Sequence, residues 1–126
     1  MQVTIIANQY RGRRGYHGAD LELPASRYEV DDALQRAHVP EGGGYELHGF
    51  RGFLSFVRSA LTLSGSKTLE ELNLLAVKAG RMNETQLGAY EGILKLRQDA
   101  DIDHPMSMKE LINAAYNVDS LSLIHI

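Results

Sequence analysis

Ala19-Asp20-Leu21-Glu22-Leu23-Pro24-Ala25-Ser26-Arg27-Tyr28-Glu29-Val30 decides the fold, because its period changes midway. Ala19 to Leu23 alternates apolar and polar residues, the pattern of a half-buried strand. Pro24 lacks an amide donor and ends it. Ser26 and Glu29 then have the spacing of a capping box, in which the Ser hydroxyl accepts from the Glu amide and the Glu carboxylate reaches back to the Ser amide. That predicts a helix from about Arg27 to His38, with Val30, Ala33, Leu34 and Ala37 as its apolar stripe. Pro40 and Gly42-Gly43-Gly44 stop it.

On the N-terminal side, Met1 to Asn8 is rich in β-branched residues and predicts another strand. Tyr10 to Gly18 carries Gly12, Gly15 and Gly18 among Arg11, Arg13 and Arg14, which makes it a loop. On the C-terminal side, Tyr45 to Phe50 alternates again as a third strand. From Phe53 the period becomes helical, with Phe53, Leu54, Val57 and Leu61 on one face. Ser64-Gly65-Ser66 is a break. Thr68/Glu71, Asn83/Gln86 and Ser107/Glu110 are three more capping boxes, and each opens a helix. Leu72, Leu75, Ala76 and Ala79 face inward in the first, Leu87, Tyr90, Ile93 and Leu94 in the second, and Leu111, Ile112 and Ala115 in the third. Gly80 suits the left-handed residue that closes a helix. Asp101 to Pro105 is a turn.

The expected class is therefore α+β: a small antiparallel sheet with one helix, in the order β-β-α-β, followed by a bundle of about four helices. Residues 1–52 form an α+β subdomain, residues 53–119 a helical subdomain, and residues 120–126 a tail. Ser120-Leu121-Ser122-Leu123-Ile124-His125-Ile126 departs from the polar helical text before it. It reads either as translated adapter read-through on a chain that continued into a further acidic domain, or as a terminal strand or apolar tail.

Bulk composition excludes several function classes. The 126 residues hold 44% hydrophobic and 23% charged residues, ordinary for a globular chain. No cysteine is present, so thiolate metal sites, disulfides and cysteine nucleophiles are excluded. No signal peptide and no membrane span are expected, and the host cytoplasm is the expected location. The net charge of -3 argues against coating nucleic acid by counterion release. Direct nucleic-acid binding is not expected on that ground.

The strand ending in Ile6-Ala7-Asn8, the Tyr- and Gly-containing loop, Gly18 through Pro24 and the capped helix together resemble the start of ArdA antirestriction proteins. Thr68-Leu69-Glu70-Glu71-Leu72-Asn73-Leu74-Leu75-Ala76 is similar to that family's Glu-Leu-Asn helix start. The resemblance covers roughly Val3 to Leu94. It implies a protein of a plasmid, transposon or phage, elongated and often dimeric, whose carboxylates stand in for DNA phosphates in type I restriction-modification complexes. The carboxylates that would serve are Asp20, Glu22, Glu29, Asp31, Asp32, Glu70, Glu71, Glu84, Glu91, Asp99, Asp101 and Asp103. A homodimer is compatible with the resemblance. The partner is expected to be a host restriction or CRISPR nuclease complex. No cofactor is expected.

The charges are not strongly one-sided. Residues 1–60 hold 7 acids and 7 bases, and residues 61–126 hold 9 acids and 6 bases. Arg11, Arg13, Arg14 and Tyr16 supply an alternative partner-binding loop, for a Cas effector or for nucleic acid with Tyr16 stacking on a base. Asp31, Asp32, Glu70 and Glu71 also lie in first helical turns, where they complement the helix dipole. Asp99, Asp101 and Asp103 with His104 resemble the start of a calcium loop, but the glycine and terminal glutamate are missing, and a solvated turn is expected. His17, His38 and His48 are scattered without metal-ligand spacing. Ser55, Ser59, Ser64 and Ser66 lack a nucleophile elbow. No catalytic residue or metal ligand is expected.

Overall fold

The computed structural model describes residues 1–65 and 67–124, with side chains described as far as residue 118. The chain divides into two compact units, Met1–Phe53 and Leu54–Ile126.

The first unit is a three-stranded antiparallel sheet with one helix. Its elements are β1 (Gln2–Ala7), β2 (Ala19–Glu22), α1 (Arg27–Arg36) and β3 (Tyr45–Arg51). The strand order is β2-β1-β3. β2 and β3 both run antiparallel to β1, so they are parallel to one another, and α1 is the crossover between them. Val3, Ile5 and Ala7 alternate onto the buried face, joined by Ala19, Leu21 and Leu47. Ala33 and Ala37 of the helical stripe are fully buried, and α1 packs on β2. The ladder between β1 and β3 shifts register between Gln2 and Thr4, opposite Gly49 and Phe50. Gly49 there has a φ of 89° and Phe50 one of 28°, so the backbone irregularity coincides with the bulge. The Leu23–Pro24 peptide is cis.

The α1 capping box forms in both directions, Glu29 amide to Ser26 hydroxyl and Ser26 amide to Glu29 carboxylate. The helix stops at Arg36, earlier than the spacing predicts. His38 takes φ 59°, its amide donates to the Gln35 carbonyl, and the Val39 amide donates to the Leu34 carbonyl. This pair of bonds is a Schellman closure with histidine where glycine is usual.

The second unit is helical: α2 (Ser55–Leu63), α3 (Leu69–Gly80), α4 (Glu84–Ala100) and α5 (Met108–Ile124). α3 and α4 each pack on α5, and α2 touches α4. Leu72, Leu75, Ala76, Tyr90, Leu94, Leu111, Ala114 and Ala115 are all fully buried. The Tyr90 hydroxyl donates to the Leu111 carbonyl at 3.0 Å, and burial pushes its pKa well above the ordinary value. Thr68/Glu71 and Asn83/Gln86 form complete capping boxes. At Ser107 only one half forms, from the Glu110 amide to the Ser107 hydroxyl. Gly80 is the last residue of α3 and not a left-handed cap; Arg81 closes the helix at φ -94°. Residues 120–124 of the tail continue α5 instead of forming a strand. His125 and Ile126 lie outside the described residues, as does Ser66 of the predicted break.

No helix among the described residues is long and apolar enough to cross a membrane.

Candidate functional site

Strand alternation puts Gln2 and Thr4 of β1, Asp20 and Glu22 of β2, and Glu46, His48 and Arg51 of β3 on the sheet face opposite the core. These side chains neutralise one another. The Arg51 guanidinium donates to Gln2 Oε1 at 2.8 Å, Thr4 Oγ1 at 3.1 Å and Asp20 Oδ1 at 2.9 Å. Thr4 Oγ1 donates to Asp20 Oδ1 at 2.7 Å, and this bond above all holds the Asp20 carboxyl below its ordinary range, helped by Arg51. Glu46 is bonded to Arg11 and to His48 Nε2. The His48 bond is the larger cause that holds the Glu46 carboxyl below its ordinary range. Glu22 lies 3.6 Å from the Met1 ammonium.

The twelve carboxylates singled out by the resemblance thus fall into groups. Asp20 and Glu22 are matched on the sheet face. Asp32 pairs with Arg36 at 2.8 Å, Glu91 with Lys95 at 3.2 Å, and Asp101 with His104 at 2.7 Å. Glu29 and Glu71 are spent on capping boxes. The remaining five are Asp31, Glu70, Glu84, Asp99 and Asp103. All five are exposed and form no ion pair among the described residues. Asp31 lies on α1. The other four lie in the helical unit. Glu84 and Asp99 share the outward face of α4, since fifteen residues advance about 22 Å and return to within about 60° of the same direction. Between them the Lys95 charge is matched by Glu91, and the ammonium also stands 5.7 Å from the Phe56 ring centroid.

The arginine loop is more ordered than its glycines imply. The Tyr16 hydroxyl accepts from the Ala7 amide at 2.9 Å and donates to the Ala37 carbonyl at 2.6 Å. The Tyr16 ring lies 5.3 Å from that of Tyr10, whose other neighbours are His38, edge-on at 6.3 Å, and the Arg13 guanidinium at 5.3 Å. The Tyr16 hydroxyl is thus the anchor of the loop. Arg11 is taken by Glu46. Arg13 and Arg14 are exposed and form no ion pair among the described residues.

Arg51, Thr4, Glu46 and Tyr10 are not marked as site residues by the sequence, and His48 is marked there only as a histidine without metal-ligand spacing. The signal was present in the alternation of polar positions along the three strands, but it acquires meaning only once the register is known.

Among the described residues no cluster of three or more histidine, aspartate or glutamate side chains could hold a metal ion. Asp101 and His104 face one another as an exposed pair in the turn. No family model, no curated protein and no solved structure matches the chain.

Proposed function

We propose that the protein is a non-enzymatic inhibitor that docks on a nucleic-acid-cutting host defence complex through discrete carboxylate contacts. The observation that carries this reading is the sorting of the acids. Seven of the twelve are used up locally, and four of the five left free belong to the helical unit. A free carboxylate on a helix can meet a target arginine in the bidentate geometry that also serves for phosphate.

The sequence resemblance to antirestriction proteins supports a type I restriction-modification complex as target. The local neutralisation of Asp20, Asp32, Glu91 and Asp101 favours a second target, a Cas effector held at selected points. Duplex DNA carries about one charge per 1.7 Å of axis. Two free acids about 22 Å apart on α4 reproduce chosen phosphate positions and not a continuous row.

The test is charge reversal at Glu70, Glu84 and Asp99 together, which spares both capping boxes. Inhibition of the restriction or Cas complex should be lost with the helical circular dichroism unchanged. Undiminished inhibition of whichever complex the wild type blocks would sink the reading. Reversal at Glu71 is unsuitable, because lysine there removes half of a cap.

A further inference from the structure

We infer that the loop from Arg11 to Gly18 is a second, cationic contact site, which takes the phosphodiester backbone of a single-stranded nucleic acid through Arg13 and Arg14. The site uses none of the helical carboxylates, and it deepens the proposed function, on which it rests, by supplying a contact to nucleic acid held in the target complex.

The first support is the distribution of unpaired arginine. In the sheet unit Arg11, Arg36 and Arg51 are each matched by a carboxylate, while Arg13, Arg14 and Arg27 are not matched by one among the described residues. Two of those three are neighbours in one loop. The nearest acid on β3, Glu46, is occupied by Arg11 and His48, so it does not compete for them. Exposed charges farther apart than about 8 Å are screened at physiological salt, so a net charge of -3 over the whole chain does not cancel a local pair.

The second support is preorganisation. A loop kept charged only for solubility has no need of fixed geometry. This one is closed by turns, with the Arg13 amide donating to the Tyr10 carbonyl at 3.0 Å and the Tyr16 amide to the Arg13 carbonyl at 3.2 Å. The Tyr16 hydroxyl ties it to the ends of both β1 and α1. The Arg13 guanidinium rests over the Tyr10 ring. A held guanidinium loses less entropy on meeting a phosphate than a free one. Arginine planes beside aromatic rings also stack on bases, which a single strand exposes and a duplex hides. That favours a single strand over a duplex or an acidic peptide.

The experiment is fluorescence anisotropy of a labelled oligothymidylate with the full chain, titrated over a salt series. The wild type should bind, and Arg13→Ala/Arg14→Ala should weaken binding by about tenfold or more at low salt. The same variant should lower the log–log salt slope by about 1.4, the loss of two single-strand phosphate contacts. Arg13→Lys keeps the charge but loses the planar fork, and should weaken binding by about threefold. Arg27→Ala removes an unpaired arginine outside the loop and should change it by less than about twofold. No binding by the wild type at the lowest salt would overturn the inference. Equal loss in Arg27→Ala would do the same. So would displacement of the oligonucleotide by polyglutamate with equal potency, since the ligand would then be an acidic polypeptide. None of these outcomes touches the inhibitor reading, which stands or falls on the helical charge reversal.

Discussion

The Tyr16 hydroxyl donates to the Ala37 carbonyl at 2.6 Å, closing the C-terminus of α1 with a side chain from a loop twenty-one residues earlier. The same oxygen accepts from the buried Ala7 amide. One hydroxyl therefore satisfies two main-chain groups that helix and sheet geometry leave over. Tyr16→Phe should destabilise the sheet unit by about 1–3 kcal/mol, the cost of orphaned buried polar groups. Urea denaturation followed by amide exchange at Ala7 checks this, and an unchanged midpoint with an unchanged Ala7 exchange rate would show the hydroxyl to be dispensable.

Glycine substitutions should have opposite signs in the two units. At Gly18, with φ 71°, a Cβ would collide with the Ile5 carbonyl oxygen in the adjacent strand. Gly18→Ala should therefore lower stability by more than 1 kcal/mol, as expected for alanine at a positive φ with no room. Gly88 and Gly92 sit inside α4, where a Cβ would meet nothing within 4 Å. Alanine at each should raise stability by about 0.5–1 kcal/mol through helix propensity alone. Thermal melts of the three single variants provide the comparison.

Thr68→Ala should cost about 1 kcal/mol, because the Thr68 hydroxyl accepts from the Glu71 amide at 3.1 Å. Glu71→Ala removes the bonds from the Thr68 amide and hydroxyl to the Glu71 carboxylate but leaves that hydroxyl accepting from the amide of residue 71, and should cost less. Reversed ranking in chemical denaturation would show that Glu71 acts through something other than the cap.

The pH dependence has two limbs. Bonds to Thr4 and Arg51 depress Asp20 from 3.8, the Ser26 amide depresses Glu29 from 4.5, and His48 with Arg11 depresses Glu46 from 4.5. The unfolded chain then binds more protons than the folded one in that range, so stability is full above about pH 5 and falls as pH drops through the depressed values. His104 is raised from 6.5 by the Asp101 carboxylate. Its contribution is present below 6.5 and is lost as pH rises through the raised value. Both partners are exposed, so this alkaline limb should be small. Asp101→Asn should flatten the alkaline limb and leave the acid limb in place. A variant that retained the alkaline limb would assign it to another group.

The capping boxes were legible in the sequence because a cap is a bond across three residues, and its chemistry travels with the spacing. Ser26/Glu29, Thr68/Glu71 and Asn83/Gln86 all form as written. The alternation at Val3, Ile5 and Ala7 fixed a buried face in the same local way. The left-handed closure sits at His38 and not at Gly80, because a Schellman closure depends on where the chain must go next, and that lies beyond the helix itself.

From its sequence alone this protein was determined to be α+β, because strand and helix periods and caps are set by neighbours a few residues apart. Which acids of the sheet face are matched was decided only by the tertiary structure. Asp20 meets Arg51 across thirty-one positions, and Glu46 meets Arg11 across thirty-five. Charge is a property of residues, but its neutralisation is a property of distances, and those distances exist only after β1 has taken β2 and β3 as partners.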